Sequence, residues 1–204
     1  GTVLKKTNQS WEYYDLGTNR NLFSIHGISE HCIWIVGTDG IVYRWTGAEW
    51  IDMSPGDDYG LRDVWAIDEN NAWASTSSYP WYSKGRMWKW DGVSWQVMET
   101  IEDHNRIYCV WGSIENDVWA MGFTGISMHW NGMRWTSVDN ETIYTINNIW
   151  GISSDAVWAV GNNGVIIRWD GDSWTNVISP ERSTKETKET EGRRFVSRIA
   201  VQMG

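Results

Sequence analysis

The chain has few of the residues that break strands or cross-link loops, with only three prolines and two cysteines in 204 residues. Cys32 and Cys109 are predicted to be buried, unpaired thiols, because each falls in a short apolar run typical of a strand. No apolar run approaches the roughly 20 residues that a membrane-spanning helix needs. The sequence also contains no phosphate-binding loop, HExxH, GxSxG or CxxC motif. We therefore predict a protein that is not an enzyme and has no cofactor and no metal.

Positive charge is scarce as well. Lys and Arg number 17 against 26 Asp and Glu, which gives a net charge of −9. Binding to a nucleic-acid backbone or to an anionic membrane surface depends on clustered cations. Neither nucleic acid nor membrane insertion is therefore predicted.

Tryptophan, by contrast, is abundant, with 18 residues, most of them in a repeated sequence. The four copies are CIWIVGTDGIVYRWTGAEW (32–50), AWAST with GRMWKWDGVSW (72–95), VWAMGFTGISMHWNGMRW (118–135) and VWAVGNNGVIIRWDGDSW (157–174). The last tryptophan of the repeat recurs after 39, 45, 40 and 39 residues, at Trp11, Trp50, Trp95, Trp135 and Trp174. This period is typical of the blades of a β-propeller, each of which is a four-stranded antiparallel sheet.

One copy divides into four short strands rich in Val, Ile and Trp. In the fourth copy they are predicted at 144–153, 155–161, 164–170 and 172–177, named A to D from the centre outwards. The connections from C to D carry dipeptides that close tight hairpins, Thr46-Gly47, Asp91-Gly92, Asn131-Gly132 and Asp170-Gly171. No helix is predicted.

The two ends of the chain are predicted to share a fifth blade. GTVLKKTNQSW (1–11) aligns with GVIIRWDGDSW (164–174), so residues 1–15 read as strands C and D of a half blade. Four full repeats cover about 16–177, a low-complexity loop covers 179–192, and a closing strand at 193–204 resembles strand B. The prediction is one propeller domain over 1–204 with five blades, which removes exposed sheet edges. Strand A of the split blade is not accounted for. That blade could be incomplete, part of a larger propeller, or completed by another chain.

The repeat accounts for 16 of the 18 tryptophans as parts of the blades, since each of these recurs at a fixed position. Trp88 is an ordinary core substitution in strand C. Trp81 has no counterpart, and it lies in the insertion 77–85 that lengthens the second copy to 45 residues.

The candidate binding site lies on the face where the B to C and D to A loops emerge, which is the usual ligand face of a propeller. Aromatic rings of the insertion stack well on sugars, and the acidic loops beside it offer hydrogen bonds to a ligand. The predicted ligand-binding residues are Tyr79, Trp81, Tyr82, Asp57, Asp58, Tyr59, Asp103, His104, Asp139 and Asn140. The alternative is that the insertion caps a neighbouring blade and that the acidic residues are solvated turns.

The text VWAVGxxGxIxRWDGxxW (157–174) resembles the Trp-rich propeller repeats of many secreted or surface-attached bacterial proteins, and the resemblance covers residues 1 to about 177. The number of blades is similar to that of tachylectin-like lectins, whose sugar sites recur once per blade. The resemblance implies an extracellular or cell-surface location. The irregular loops argue against five equal sites.

These observations predict a binding module that recognises a glycan or a protein partner through the face carrying residues 77–85. The alternative is a structural or assembly protein that docks a partner chain, with a homo-oligomer as one form. A glycoside-acting enzyme is the third hypothesis, because a pair of catalytic carboxylates from different blades leaves no local motif.

Overall fold

A computed structural model describes residues 1–56, 58–76, 85–101 and 106–177. These residues form 18 strands, and their helical structure is limited to three turns of 3₁₀ helix. Each turn is three residues long, and they lie at Thr38–Gly40, Phe123–Gly125 and Asn162–Gly164. The predicted all-β fold is confirmed.

The strands form one two-stranded sheet and four four-stranded antiparallel sheets. The half blade is β1 (Thr2–Lys6) and β2 (Trp11–Asp15). Blade 1 is β3 (Leu22–Ser29), β4 (Cys32–Gly37), β5 (Val42–Trp45) and β6 (Trp50–Asp52). Blade 2 is β7 (Leu61–Ala66), β8 (Ala72–Thr76), β9 (Gly85–Trp90) and β10 (Trp95–Ile101). Blade 3 is β11 (Ile107–Ile114), β12 (Asp117–Gly122), β13 (Ser127–Trp130) and β14 (Trp135–Ser137). Blade 4 is β15 (Ile146–Ser153), β16 (Ala156–Gly161), β17 (Ile166–Trp169) and β18 (Trp174–Asn176).

In each full blade the strands are ordered A to D as they follow along the chain. The A strands of successive blades contact one another, β3 with β7, β7 with β11 and β11 with β15. Four-stranded sheets arranged side by side through their first strands make a β-propeller, with the half blade as the first part of a fifth blade. The predicted closing strand at 193–204 lies outside the described residues.

The predicted hairpins between strands C and D are confirmed. The glycine of each has a positive φ, between 91° and 103°, at Gly47, Gly92, Gly132 and Gly171. This region of φ favours glycine, because a side chain there collides with the backbone. The hairpin fixes the register, so that the last residue of strand C lies opposite the first residue of strand D, as Trp45 does opposite Trp50.

The joints between blades are built from tryptophan. The strand B tryptophan of one blade packs against the strand C and strand D tryptophans of the next, with ring centroids 4.7–5.3 Å apart. The three sets are Trp34 with Trp90 and Trp95, Trp73 with Trp130 and Trp135, and Trp119 with Trp169 and Trp174. Each of these strand B rings is 0% exposed, so the repeat serves the architecture at these three joints, as predicted. Cys32 and Cys109 are buried free thiols.

Candidate functional site

One face of the propeller carries both the B to C and the D to A connections. The backbone N–H of Thr38 donates to the carbonyl of Asn21 over 2.9 Å. Equivalent bonds of 2.8 Å join Phe123 to Arg106 and Asn162 to Thr145. The two kinds of loop are therefore hydrogen-bonded together in blades 1, 3 and 4, and the predicted loop face is a continuous surface there.

Four of the ten predicted ligand-binding residues fall in the described part of the chain: Asp58, Tyr59, Asp139 and Asn140. The other six, which are Asp57, Tyr79, Trp81, Tyr82, Asp103 and His104, lie outside it. Asp58 is exposed. The ring of Tyr59 lies under the guanidinium of Arg86, 3.9 Å from its centroid, at the point where the insertion of blade 2 rejoins strand C.

Asp139 and Asn140 belong to the loop between blades 3 and 4, and they differ in exposure. Asp139 is exposed, and its carboxylate accepts the N–H of Glu141 over 2.9 Å. Asn140 is only 3% exposed. Its amide donates to the Gly125 carbonyl over 3.0 Å and accepts from the Thr142 N–H over 3.2 Å. The Asn140 side chain therefore holds the loop together at the edge of an open cavity, and its contact with a ligand stays a prediction.

The inner strands are tied together by a carboxylate that sequence reasoning missed. Asp63 of β7 accepts the hydroxyl of Ser24 in blade 1 over 2.6 Å. It also accepts the N–H groups of Val64 over 3.0 Å and of Val110 in blade 3 over 2.9 Å. One side chain thus joins three blades. Burial raises the pKa of Asp63, and the hydrogen bonds from Ser24, Val110 and Val64 oppose that rise.

His26 plays a similar part between blades 1 and 2. Its Nδ1 accepts the N–H of Ala66 over 3.0 Å, and its ring stacks on Trp65 with centroids 3.9 Å apart. Because Nδ1 is an acceptor here, the ring must be neutral. Burial lowers the pKa of His26 to about 4.

We expect the free energy of unfolding to fall as the pH drops from 6.5 towards 4, because unfolded His26 takes up a proton that the folded state resists. The stabilisation is complete above pH 6.5, and about 2 kcal/mol of it is lost by pH 5. Urea titrations at pH 7.5 and pH 5 measure the loss. The His26→Gln variant keeps an acceptor for the Ala66 N–H but does not titrate, so its loss over the same range should be smaller. Equal losses in the two proteins would contradict the assignment.

A Ser, an Asp and a His lie together at the hairpin of β11 and β12, but not in a catalytic arrangement. Ser113 donates its hydroxyl to Asp117, and the other oxygen of Asp117 lies 2.6 Å from Nε2 of His129. A nucleophile needs its base within hydrogen-bond reach, whereas here both groups contact the carboxylate. The His129 ring lies 4.4 Å from that of Trp119, which gives it a place in the blade packing.

Two further kinds of site were sought in the described ranges. Within residues 1–56, 58–76, 85–101 and 106–177, no group of three or more His, Cys, Asp or Glu side chains is placed to hold a metal ion. In the same ranges there is no helix of the length and apolar character required to cross a membrane.

The largest departure from the repeat occurs where the propeller is incomplete. Strand C of every full blade pairs with strand B on one side and strand D on the other, whereas among the described residues β1 pairs only with β2. Ile25 of blade 1, next to this free edge, is 60% exposed, although its counterparts Val64, Val110 and Ile149 are at most 4% exposed. A strand pair is therefore missing beside β1 in the described part of the chain.

Blade 4, the last full blade, also has tryptophans that are more exposed than their counterparts. Trp158 occupies the strand B position of the three fully buried rings, yet it is 41% exposed. Trp150 is 36% exposed, against 2% for its counterpart Trp111. Trp11 of β2 is 63% exposed. We call the region beside β1 the open blade position, defined by the free edge of β1, by exposed Ile25, and by the cavity that Trp45 and Trp50 border beside it.

The arrangement of the sheets defines the class of protein as a β-propeller. No known family model and no curated protein matches the chain. Among solved structures it is similar to YCF48 bound to D1 peptide, with a TM-score of 0.64 and 18% identity over 86% of this chain and 60% of that one. YCF48 from Cyanidioschyzon merolae matches with a TM-score of 0.61 and 18% identity over 79% of this chain and 57% of that one.

The WD40 β-propeller domain of Doa1 is a third similar structure, with a TM-score of 0.53 and 17% identity over 90% of this chain and 62% of that one. At this level of identity the likeness establishes the fold and not the activity. The chain spans about 60% of the length of these structures.

Proposed function

We propose that this chain is a non-catalytic protein-binding module that receives a β-strand pair from a partner protein in the open blade position. The observation that carries the proposal is the exposure of Ile25 beside the edge of β1, which is 60% where its counterparts Val64, Val110 and Ile149 are at most 4% exposed. A surface that the repeat buries everywhere else is available here for a partner. Large exposed apolar patches next to a free sheet edge are typical of sites that add a strand from another chain.

The backbone supports the same conclusion. The outer edge of β1 offers N–H and C=O groups in an extended conformation, and an added strand gains main-chain hydrogen bonds there. The exposed faces of Leu4 and Ile25 border a cavity beside that edge. The partner's second strand would then cover the apolar face that Ile25 presents. The similar structure of YCF48 holds a peptide, which agrees with a role in binding polypeptide.

A synthetic hairpin tests this function directly. Residues 146–161, INNIWGISSDAVWAVG, are strands A and B of blade 4. As a separate peptide they have the sequence of the kind of strand pair that would complete the half blade. We expect saturable one-to-one binding by calorimetry and slower amide hydrogen exchange in β1. A peptide of residues 165–176, which are strands C and D, is the control and should not bind. Absence of binding by 146–161, or protection confined to blades 2 and 3, would overturn the proposal.

The loop face remains a second prediction, for a glycan or for a protein partner. Its support among the described residues is the stack of Arg86 on Tyr59 beside exposed Asp58, together with an open cavity of about 450 Å³ that includes Asp139. The three aromatic residues that favour a glycan lie outside the described residues. Glycan recognition by these three residues stays a prediction, and the open blade position is what supports protein binding.

A further inference from the structure

A second feature repeats in every full blade, a pair of side chains that face each other across strands B and C. It indicates which residue a partner strand would need. In each full blade the strand B tryptophan lies directly across the ladder from a cationic or imidazole side chain of strand C. The pairs are Trp34 with Arg44, Trp73 with Lys89, Trp119 with His129 and Trp158 with Arg168. The cations lie 5.2–5.8 Å from the ring centroids, which is within the range of a cation–π interaction.

The half blade has the cation of this pair but not the ring. Lys6 lies opposite Trp11 as Trp45 lies opposite Trp50, so Lys5 corresponds to Arg44. The described residues contain no strand B beside Lys5, and its ammonium lies over Trp45 of blade 1, 5.3 Å from the ring. In a full joint, a strand B tryptophan lies between these two groups.

A cavity of about 250 Å³ marks the vacant place of that ring. Its walls include Lys5, Ile25, Ile33, Trp45 and Trp50, and Trp45 and Trp50 are the strand C and strand D rings of blade 1. In the other joints those two positions hold the strand B tryptophan of the preceding blade at 4.7–5.3 Å.

Tyr14 of β2 already lies edge-on against Trp45, with centroids 5.4 Å apart, and Glu30 and His31 line the cavity beside Lys5. An entering ring therefore meets aromatic and apolar walls together with one acidic and one basic side chain, and it shares Trp45 with Tyr14.

The main-chain hydrogen-bonding pattern of β1 also identifies Lys5 as the residue that a partner strand would face. Thr7 and Ser10 form the hydrogen-bonded pair that closes the hairpin, and in an antiparallel ladder such pairs alternate with pairs that are not bonded. The N–H groups of Leu4 and Lys6 consequently face away from β2, towards the vacant strand. Lys5, between them, lies opposite the centre of any strand that pairs there.

We propose that the open blade position selects its partner by one aromatic side chain, preferably tryptophan, on a strand antiparallel to β1 and directly opposite Lys5. The ring enters the cavity against Trp45 and Trp50, and the Lys5 ammonium covers its outer face. The inference rests on the proposed function and adds the residue that decides specificity.

The occupant that we propose is a strand from a partner protein, because the C-terminal run of this chain has no aromatic residue at the required position. When Gly204 is aligned with Gly161, the residue at the tryptophan position is Val201. Valine provides neither a ring for the cation nor the volume that the cavity and the three complete joints accommodate. A partner that carries an aromatic residue at this position completes the joint as the other three are completed.

Peptides that differ at one residue test the inference with the full chain. The parent probe is DAVWAVGN, which is strand B of blade 4 at residues 155–162. Replacing its tryptophan with alanine should weaken binding about 20- to 100-fold. DAWVAVGN has the same composition but presents the ring to the opposite side of the strand, and it should lose as much. Equal affinity for the three peptides would overturn the aromatic selection, whereas absence of binding by all three would overturn the proposed function with it.

Variants of the protein locate the site. Leu4→Pro removes an outward N–H and should abolish binding of the parent probe, while Leu4→Ala should retain it. Lys5→Ala should reduce the preference for tryptophan, and Lys6→Ala, one residue along, should not. Circular dichroism checks that each variant is folded. Parent binding that Leu4→Pro leaves unchanged would overturn the location.

Two other occupants would give different results. If the run at 193–204 filled the position, Val201→Pro would lower the melting temperature and raise the affinity for the probe, and either change would overturn the proposal. If a second copy filled it, light scattering would show a dimer that Leu4→Pro dissociates, which would overturn it as well. The result expected from a partner's strand is a monomer that Val201→Pro does not affect.

Discussion

Replacing Trp73 with alanine is expected to lower the free energy of unfolding by about 3–5 kcal/mol, whereas Trp158→Ala should lower it by about 1 kcal/mol or less. Both residues are strand B tryptophans, and each faces a basic side chain across the ladder, Lys89 and Arg168. Trp73 is 0% exposed and packs on Trp130 and Trp135. The variant therefore loses the transfer free energy of a buried indole and leaves a cavity between two blades.

Trp158 is 41% exposed and contacts the Arg168 guanidinium at 5.8 Å, so its removal opens no enclosed cavity. Urea unfolding followed by far-ultraviolet circular dichroism measures both variants without depending on tryptophan fluorescence. Since the two substitutions are chemically identical, the difference reports only what covers each ring. A loss at Trp158 as large as that at Trp73 would mean that another part of the chain or another copy buries it, which would contradict the exposure of this face of blade 4.

Much of the fold could be predicted from the sequence because the repeat constrains it several times over. The predicted fourth copy had strand B at 155–161, and β16 runs Ala156–Gly161. The predicted strand D at 172–177 is β18, Trp174–Asn176. Hairpin glycines and alternating apolar residues are local signals, so each copy gives an independent reading of the same strand boundaries.

The exposure of Trp158 could not be predicted in the same way. Its local sequence, VWAVG, is nearly identical to that of the buried positions, and its burial depends on a neighbouring blade rather than on its own residues. The cation opposite each ring was, however, visible in the sequence. The residue before the strand C tryptophan is Arg44, Lys89, His129 or Arg168 in turn, and Lys5 in the half blade. Aligning the copies at this residue would have shown that Lys5 is the cation of a copy that has no matching strand B tryptophan.

The inner network was missed for a different reason. Ser24, Asp63, Cys109 and Asn148 share one register of strand A, but their chemistry differs from copy to copy. Repeat-based reasoning favours what recurs, so a residue present once in the register attracts no attention. An acidic residue that is followed by the apolar run VWA and lies on an inner strand, as Asp63 does in LRDVWA, is the signal that identifies it.

Asp63→Ala is expected to cost about 3–5 kcal/mol of unfolding free energy, because it leaves three donors without their acceptor. The N–H groups of Val64 and Val110 and the hydroxyl of Ser24 all donate to this carboxylate. Val64 and Val110 are each only 2% exposed, so water cannot readily replace the lost bonds. Each buried donor left unpaired costs about 1–3 kcal/mol.

Asp63→Asn gives a sharper test of the same network. One of the two side-chain oxygens becomes an NH₂ group, which is a donor. This group then faces either the Val110 N–H or the Ser24 hydroxyl and Val64 N–H, which are donors as well. The expected loss is about 1–3 kcal/mol, and Asp58→Asn, at an exposed position, should change stability by no more than about 0.5 kcal/mol. Urea unfolding at pH 7.5 measures all three variants. Because Oδ1 serves Ser24 and Val64 while Oδ2 serves Val110, a neutral Asp63→Asn would mean that one oxygen suffices and that the carboxylate does not join blade 3 to blades 1 and 2.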